Sequence, residues 1–130
     1  MEEINKLLLE IIKQKRLLSK LNFIILYGSF SQGKQTPLSD VDVCLSLSLD
    51  KKERVKLRLS LLSELPEKYD LQIFEDLPSY VQVEVLKGKF LYLRDQKKTT
   101  EMAFNLIREF EDFQRIYQYY ISRNRAEAQL

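Results

Sequence analysis

Two short apolar runs, separated by a polar stretch that ends in two closely spaced aspartates, constrain this chain most. The first run, Phe23 to Tyr27, is rich in large apolar and β-branched residues, which is typical of a buried strand. The second run, Val41 to Leu47, alternates in residue type and also predicts a strand. We therefore expect the fold, and the chemistry, to be organised around these two strands and the segment between them.

The polar stretch offers residues suited to a phosphate and to a cation. Asp40 and Asp42 are two residues apart at the start of a strand, so their side chains share a face and their charges repel each other. Mg²⁺ relieves such repulsion and is normally held by one or two carboxylates together with a substrate phosphate. Gly28-Ser29 directly follows a strand, where backbone N–H groups and a hydroxyl can approach a phosphate closely. In an Asp-x-Asp taken alone, the first aspartate could simply end a turn and the second could be an exposed strand residue. The combination with Gly-Ser is far more specific for a site that binds a phosphate and a cation.

A P-loop is the competing phosphate motif. Gly28 and Gly33-Lys34 have its spacing. However, Gln35 replaces the Ser or Thr that should reach Mg²⁺, and Pro37 falls where the following helix should run. We regard the P-loop as a near miss.

A third acidic residue follows at the start of a later predicted strand. Asp70 would join Asp40 and Asp42 on one face if its strand, Tyr69 to Phe74, lies beside the strand Val41 to Leu47. A lone aspartate at a strand start is usually a turn residue, so this role depends on the Asp-x-Asp. Glu75 and Asp76 compete with Asp70 for it, and we interpret them as loop residues before Pro78.

These motifs together resemble a known family. Gly28-Ser29, ten intervening residues and Asp40-Val41-Asp42 resemble the signature of the DNA polymerase β-like nucleotidyltransferase superfamily. The small size is similar to that of its minimal nucleotidyltransferase (MNT) branch, and Tyr69 to Ile73 and Leu86 to Asp95 resemble the segments that follow in MNT proteins. The resemblance implies an α/β (α+β) fold with a polymerase β-like core, a small mixed sheet flanked by helices and a long C-terminal helix.

The resemblance also implies an activity. MNT domains are typically antitoxins paired with HEPN toxins, which some of them inactivate by adding AMP from ATP to a tyrosine. Asp40, Asp42 and Asp70 would be the catalytic residues and would hold Mg²⁺, with two ions expected. We assign the nucleotide contacts to a second set of residues: Gly28, Ser29, Gly33 and Ser39.

Two alternatives stay open. Phe30, Ser31 and Gln32 stand where many MNT domains have basic residues, so a binding module that neutralises a toxin by contact alone remains possible. A nucleotidyltransferase for small molecules is the other alternative, although such enzymes usually add a domain for the acceptor.

Composition excludes several other classes. At 130 residues the chain has the length of one domain, which we expect to span 1–130. Its net charge of +2 gives no footprint for nucleic-acid binding, and its apolar runs are too short to span a membrane. Histidine is absent, so acid–base or metal chemistry must fall to carboxylates. The single cysteine, Cys44, fits a reducing compartment, and we expect a cytoplasmic protein.

Periodicity predicts the remaining elements. Residues 2–19 should form an amphipathic helix, and Asp50 should cap a helix that buries Val55, Leu59, Leu61, Leu62 and Leu65 and ends before Pro66. A short helix from Pro78 to Val85, a strand from Phe90 to Leu93 and a long helix from Lys97 to Arg123 should follow, with a frayed tail after it. The long helix carries an aromatic stripe that either covers the sheet or binds a partner.

Overall fold

The computed structural model describes residues 2–28 and 40–128, with side chains from residue 3 to residue 123 in those ranges. Four strands and four α-helices make up most of the described part. Their bounds are α1 Glu2–Gln14, β1 Leu21–Tyr27, β2 Val41–Leu47, α2 Lys51–Glu64, β3 Tyr69–Ile73, α3 Ser79–Leu86, β4 Lys89–Leu93 and α4 Gln96–Ala128. Within the described ranges, no helix has the length and apolar character needed to cross a membrane.

The strands form one mixed sheet in the order β3-β2-β1-β4. β1 is antiparallel to both β2 and β4, whereas β2 and β3 are parallel. The connection between the parallel strands is α2, as a crossover between parallel strands requires. This mixed sheet with flanking helices and a long final helix confirms the expected fold class.

Both faces of the sheet are buried. One face packs on α1 and α2 and forms the larger core, which includes Leu8, Leu26, Val43 and Leu61. The other face carries a smaller cluster of five buried residues, Phe23, Ile25, Cys44, Phe74 and Val85, with Met102 and Leu106 of α4 packed against it. Phe23 contacts Phe74 edge to face, with the ring centroids 5.1 Å apart. The face that carries the smaller cluster is also the face on which the candidate site lies.

The first helix is shorter than predicted. It ends at Gln14 rather than at residue 19, because Arg16 adopts a left-handed conformation with φ of 60°. The Leu17 N–H donates to the Ile12 carbonyl and the Arg16 N–H to the Lys13 carbonyl, which is the hydrogen-bond pattern of a Schellman motif. The Lys-rich end therefore turns into a short 3-10 segment that leads into β1.

The second helix begins where predicted, and Leu61 and Leu65 are buried as expected, but other expected positions are not. Asp50 caps it by accepting a hydrogen bond from the Glu53 N–H at 2.8 Å. The prediction that Val55 and Leu59 are buried was wrong, since they are 46% and 60% exposed while Leu57 and Leu61 are buried. Leucines occupy several sides of this helix, so the sequence pattern did not single out one face.

Smaller differences concern element ends. β1 begins at Leu21, two residues before the predicted run, and β3 ends at Ile73 because Phe74 opens a 3-10 turn. The long helix does not fray after Arg123 but continues to Ala128. The other predicted elements lie within one residue of those observed.

Candidate active site

Three strand ends meet at one end of the sheet and bring the site together. β1 runs toward this end, and β2 and β3 both start from it, because β1 is antiparallel to β2 and β2 is parallel to β3. In register, Tyr27 lies opposite Asp42 and Asp42 lies opposite Asp70. Tyr27, Asp42 and Asp70 thus form one row across three neighbouring strands, which we call the acidic row.

The acidic row faces the smaller cluster rather than the main core. Cys44, two residues after Asp42, is buried in that cluster, whereas Val41 and Val43 point into the main core. α3 packs over β1 on this side, and its end at Gly88 lies against Leu26 and Tyr27. Asp42 and Asp70 remain partly exposed and Asp40 is exposed. A solvent-borne ligand can therefore reach the carboxylates.

Charge repulsion marks the site. Burial raises the pKa of Asp42 above its ordinary value, and the carboxylates of Asp70 and Asp40 raise it further. Burial likewise raises the pKa of Tyr27, with smaller contributions from Cys44 and the two acids of the acidic row. The Tyr27 phenol therefore stays neutral at physiological pH. The aspartates repel one another, and a bound cation would reduce this repulsion.

Gly28 is required by the backbone at this point. Its φ of +76° is a conformation that favours glycine, and a Cβ at this position would overlap Oδ2 of Asp42. Gly28, the first residue after β1, consequently lies directly against the Asp42 carboxylate. This close approach places the start of the Gly-Ser segment beside the predicted cation ligands.

Gln72 is a residue that the sequence reasoning missed. Its Nε2 donates a long hydrogen bond of 3.4 Å to Oδ1 of Asp70, two residues away on the same face of β3. It lies opposite Cys44 in the parallel register. The only sequence signal for Gln72 was its two-residue spacing from Asp70. Tyr27 was also missed, because its place in the acidic row depends on the order of the strands.

Glu75 is not part of this site. It was expected in a loop, but it lies in the 3-10 turn after β3, and its carboxylate accepts hydrogen bonds from the Ser46 hydroxyl at 2.6 Å and the Leu47 N–H at 2.9 Å. Asp76 accepts hydrogen bonds from the guanidinium of Arg54 at 2.8 and 3.2 Å. Both acids therefore hold α2 and the turn to the far end of the sheet.

The carboxylates of the acidic row fit a cation that also binds a phosphate. Within residues 2–28 and 40–128, no group of three or more acidic, cysteine or histidine side chains is arranged to hold a metal ion. A carboxylate pair that still needs ligands is the usual protein contribution to Mg²⁺ in phosphate-transfer sites, where waters and substrate phosphates complete the coordination. The predicted nucleotide contacts Ser29, Gly33 and Ser39 lie outside the described residues.

The chain is similar to known proteins. The family model described as polymerase beta, nucleotidyltransferase matches residues 6–97. A protein of Methanocaldococcus jannaschii whose provisional name is protein adenylyltransferase is 32% identical over 98 residues, which cover 75% of this chain and 76% of the relative.

Solved structures give a similar result. A chain from a crystal structure of a toxin-antitoxin with AMP-PNP is 26% identical and superposes with a TM-score of 0.70, covering 91% of this chain and 95% of that one. A chain from the structure of a tri-AMPylated Shewanella oneidensis HEPN toxin in complex with an MNT antitoxin is also 26% identical. Its TM-score is 0.64, covering 94% of this chain and 97% of that one.

Proposed function

This chain belongs to the polymerase beta nucleotidyltransferase family, and we propose that it transfers AMP from ATP to a hydroxyl group, on a tyrosine, of a cognate HEPN toxin. It would thereby act as the antitoxin of a toxin–antitoxin pair in the cytoplasm. The relative named as a protein adenylyltransferase supports the reaction, and the AMPylated HEPN toxin supports the acceptor. The observation that carries the proposal is the acidic row, with Gly28 pressed against Asp42.

Each residue of the site has a proposed role. Asp40, Asp42 and Asp70 would hold Mg²⁺, for which we expect two ions. Because these three carboxylates are not arranged around one metal position in the described structure, the triphosphate would complete the coordination. When bound, the metal neutralises charge on the phosphates and stabilises the entering and leaving oxygens of an in-line displacement. The backbone from Gly28 onward, with Ser29, Gly33 and Ser39, would hold the phosphates in reach of the acidic row.

The reaction is a single displacement at the α-phosphorus. The acceptor hydroxyl oxygen forms a bond to that phosphorus while the bond to the bridging oxygen of pyrophosphate breaks. Asp70 acts as the general base and takes the proton of the hydroxyl. It is suited to this role because it lies at the edge of the acidic row, on the strand beside β2, and is partly exposed to solvent. The products are the AMP-modified toxin and pyrophosphate.

Tyr27 lies in the acidic row but is not a suitable acceptor itself. Burial raises its pKa, so its hydroxyl resists deprotonation, and it is fixed at the end of β1 by backbone pairing with β2. We assign it a role in shaping the site and keeping a neutral hydroxyl beside the two carboxylates. We propose that the acceptor hydroxyl comes from the partner protein, as the AMPylated HEPN toxin of the related complex supports.

Labelled ATP tests the reaction class. With the toxin, Mg²⁺ and ATP labelled at the α-phosphate, label should appear on the toxin, whereas label at the γ-phosphate should leave as pyrophosphate. Asp42→Asn should abolish the transfer. Asp76→Asn, the same change at an aspartate that only pairs with Arg54 at the far end of the sheet, should leave it unchanged.

Three outcomes would contradict the proposal. Transfer of the γ-label would indicate a kinase. Transfer to a small molecule, with none to the toxin, would favour the other enzymatic alternative. A stable complex that transfers no label would leave a binding module.

A further inference from the structure

A ten-residue part of α4 is exposed on every side. Each residue from Glu111 to Tyr120 is exposed, whereas Thr99 is buried and Met102 and Leu106 pack against the smaller cluster. Large apolar side chains are among the exposed ones, including Phe113 at 64%. The helix thus leaves the body of the protein and carries apolar surface away from it.

Several of the exposed apolar residues continue the helix face that packs on the smaller cluster. This face advances by four and three residues in turn, through Thr99, Ala103, Leu106, Phe110, Phe113, Tyr117 and Tyr120. The average step of 3.5 residues is the spacing with which one α-helix packs along another. We call the exposed part, formed by Phe113, Ile116, Tyr117 and Tyr120, the distal stripe.

The composition of the distal stripe fits a partner that also exists apart from this chain. It contains no charged residue, and charged neighbours such as Asp112 and Arg115, which form an ion pair with each other, lie beside it. Phe113 and Tyr117 stack with ring centroids 6.2 Å apart. Tyrosine combines a large apolar area with a hydroxyl that tolerates water, so it is enriched at interfaces between separately folded proteins. An obligate homodimer would favour a more apolar surface.

We propose that the distal stripe is the docking surface for the toxin and that it receives one α-helix of that protein. This inference depends on the proposed function, because it takes the toxin as the partner. The superposition on the MNT antitoxin complex covers 94% of this chain, and the part left out is smaller than the exposed part of α4. At least part of the projecting helix is therefore matched by a chain from a toxin complex.

Binding without ATP tests the surface separately from catalysis. The affinity of the chain for an inactive variant of the HEPN toxin is measured by calorimetry for wild type and for Phe113→Ser/Tyr117→Ser. Serine has a helix propensity close to those of phenylalanine and tyrosine, so α4 should persist, and circular dichroism checks this. We expect about 100-fold weaker binding, since two central aromatic anchors are lost.

A matched control uses the other side of the same helix. Gln114→Ser/Gln118→Ser changes two exposed residues at the same spacing and should keep the affinity within about 3-fold, as expected of positions outside an interface. Tyr120→Ser alone should weaken binding about 10-fold, which keeps the inference testable if the double variant unfolds.

The outcomes separate the inference from the proposed function. Wild type that binds without transferring AMP, while the double variant fails to bind, would support the docking surface and contradict the activity. Equal affinity of wild type and the double variant, or no binding by wild type, would overturn the docking surface. A wild-type homodimer that the double variant dissociates, with toxin binding unchanged, would assign the distal stripe to a second copy and overturn the inference.

Discussion

Replacement of Asp70 by asparagine should stabilise the protein while it abolishes catalysis. In the acidic row Asp70 lies opposite Asp42, and its charge raises the pKa of Asp42. The Asp70→Asn substitution would remove one of two repelling charges and keep nearly the same shape, including an oxygen for the hydrogen bond from Gln72. The free energy of unfolding at neutral pH should therefore rise in the absence of nucleotide and metal.

The magnitude follows from the strand spacing. Neighbouring strands lie about 4.8 Å apart, and two unit charges about 5 Å apart repel by about 0.8 kcal/mol in water and about 3 kcal/mol at an effective dielectric constant of 20. Both side chains are partly exposed, so screening brings the value toward the lower limit, about 1 kcal/mol. For a chain of this length that corresponds to a melting temperature about 3–5 °C higher.

The pH dependence provides an internal check. Because the pKa of Asp42 is raised in the folded state, folding favours its protonated form, and this group stabilises the fold progressively as pH falls toward and below that pKa. Protonation removes the same repulsion as the substitution does. The difference in melting temperature between Asp70→Asn and wild type should therefore shrink as pH is lowered from 7 toward the raised pKa of Asp42.

Differential scanning calorimetry without nucleotide or divalent cation measures this difference. Asp76→Asn is the matched control with the opposite sign, because it removes a carboxylate that is paired with Arg54 rather than repelled. A melting temperature of Asp70→Asn at or below that of wild type at pH 7 would refute the electrostatic reasoning. It would mean that Asp42 and Asp70 do not repel each other measurably in the absence of a cation.

Three further predictions rest on the same contacts. Gly28→Ala should lower the free energy of unfolding by about 1–2 kcal/mol in urea titration and abolish AMP transfer, because its φ is positive and the new Cβ overlaps Asp42; a stable, active variant would contradict this. Glu75→Ala should lower the free energy of unfolding by about 2 kcal/mol in urea titration, because the buried Ser46 hydroxyl and the Leu47 N–H lose their acceptor. The control Glu67→Ala, at an exposed position, should change the free energy of unfolding by less than about 0.5 kcal/mol. Chelation of divalent cations should abolish AMP transfer and added Mg²⁺ should restore it, and transfer that persists in chelator would contradict the cation's role.

The elements that bear the site were predictable because their signals are local. Apolar runs bounded by glycine and aspartate defined β1 and β2, and the two-residue period of a strand predicted that Asp40, which precedes β2, and Asp42 share one face. The cap at Asp50 likewise depends only on residues three apart. Such features need no knowledge of how the strands are ordered.

The features that escaped prediction depend on tertiary packing. Tyr27 gained Asp42 as a neighbour only through the antiparallel pairing of β1 with β2, and the expected approach of Asp70 to Asp42 required β3 to lie beside β2, as it does. The end of α1 depends on a left-handed arginine, a conformation that residue type does not favour. The buried face of α2 was predicted only in part, because leucines lie on several of its sides. Contacts with β3, such as the 2.9 Å hydrogen bond from Arg58 to the Leu71 carbonyl, accompany the face observed.

The roles of the site residues remain predictions. Asp40, Asp42 and Asp70 lie at one end of the sheet, the pKa of Asp42 is raised, and Gly28 lies against Asp42. The remaining nucleotide contacts predicted from sequence lie outside the described residues.

Intact-mass spectrometry of the HEPN toxin, followed by mapping of the modified peptide, tests the central claim most directly. The toxin is incubated with ATP, Mg²⁺ and either wild-type protein or the Asp40→Ala/Asp42→Ala variant. Our account predicts that the toxin gains the mass of one or more AMP groups on tyrosine with wild type only. An unchanged toxin mass with wild type, under conditions in which the two proteins form a stable complex, would contradict it.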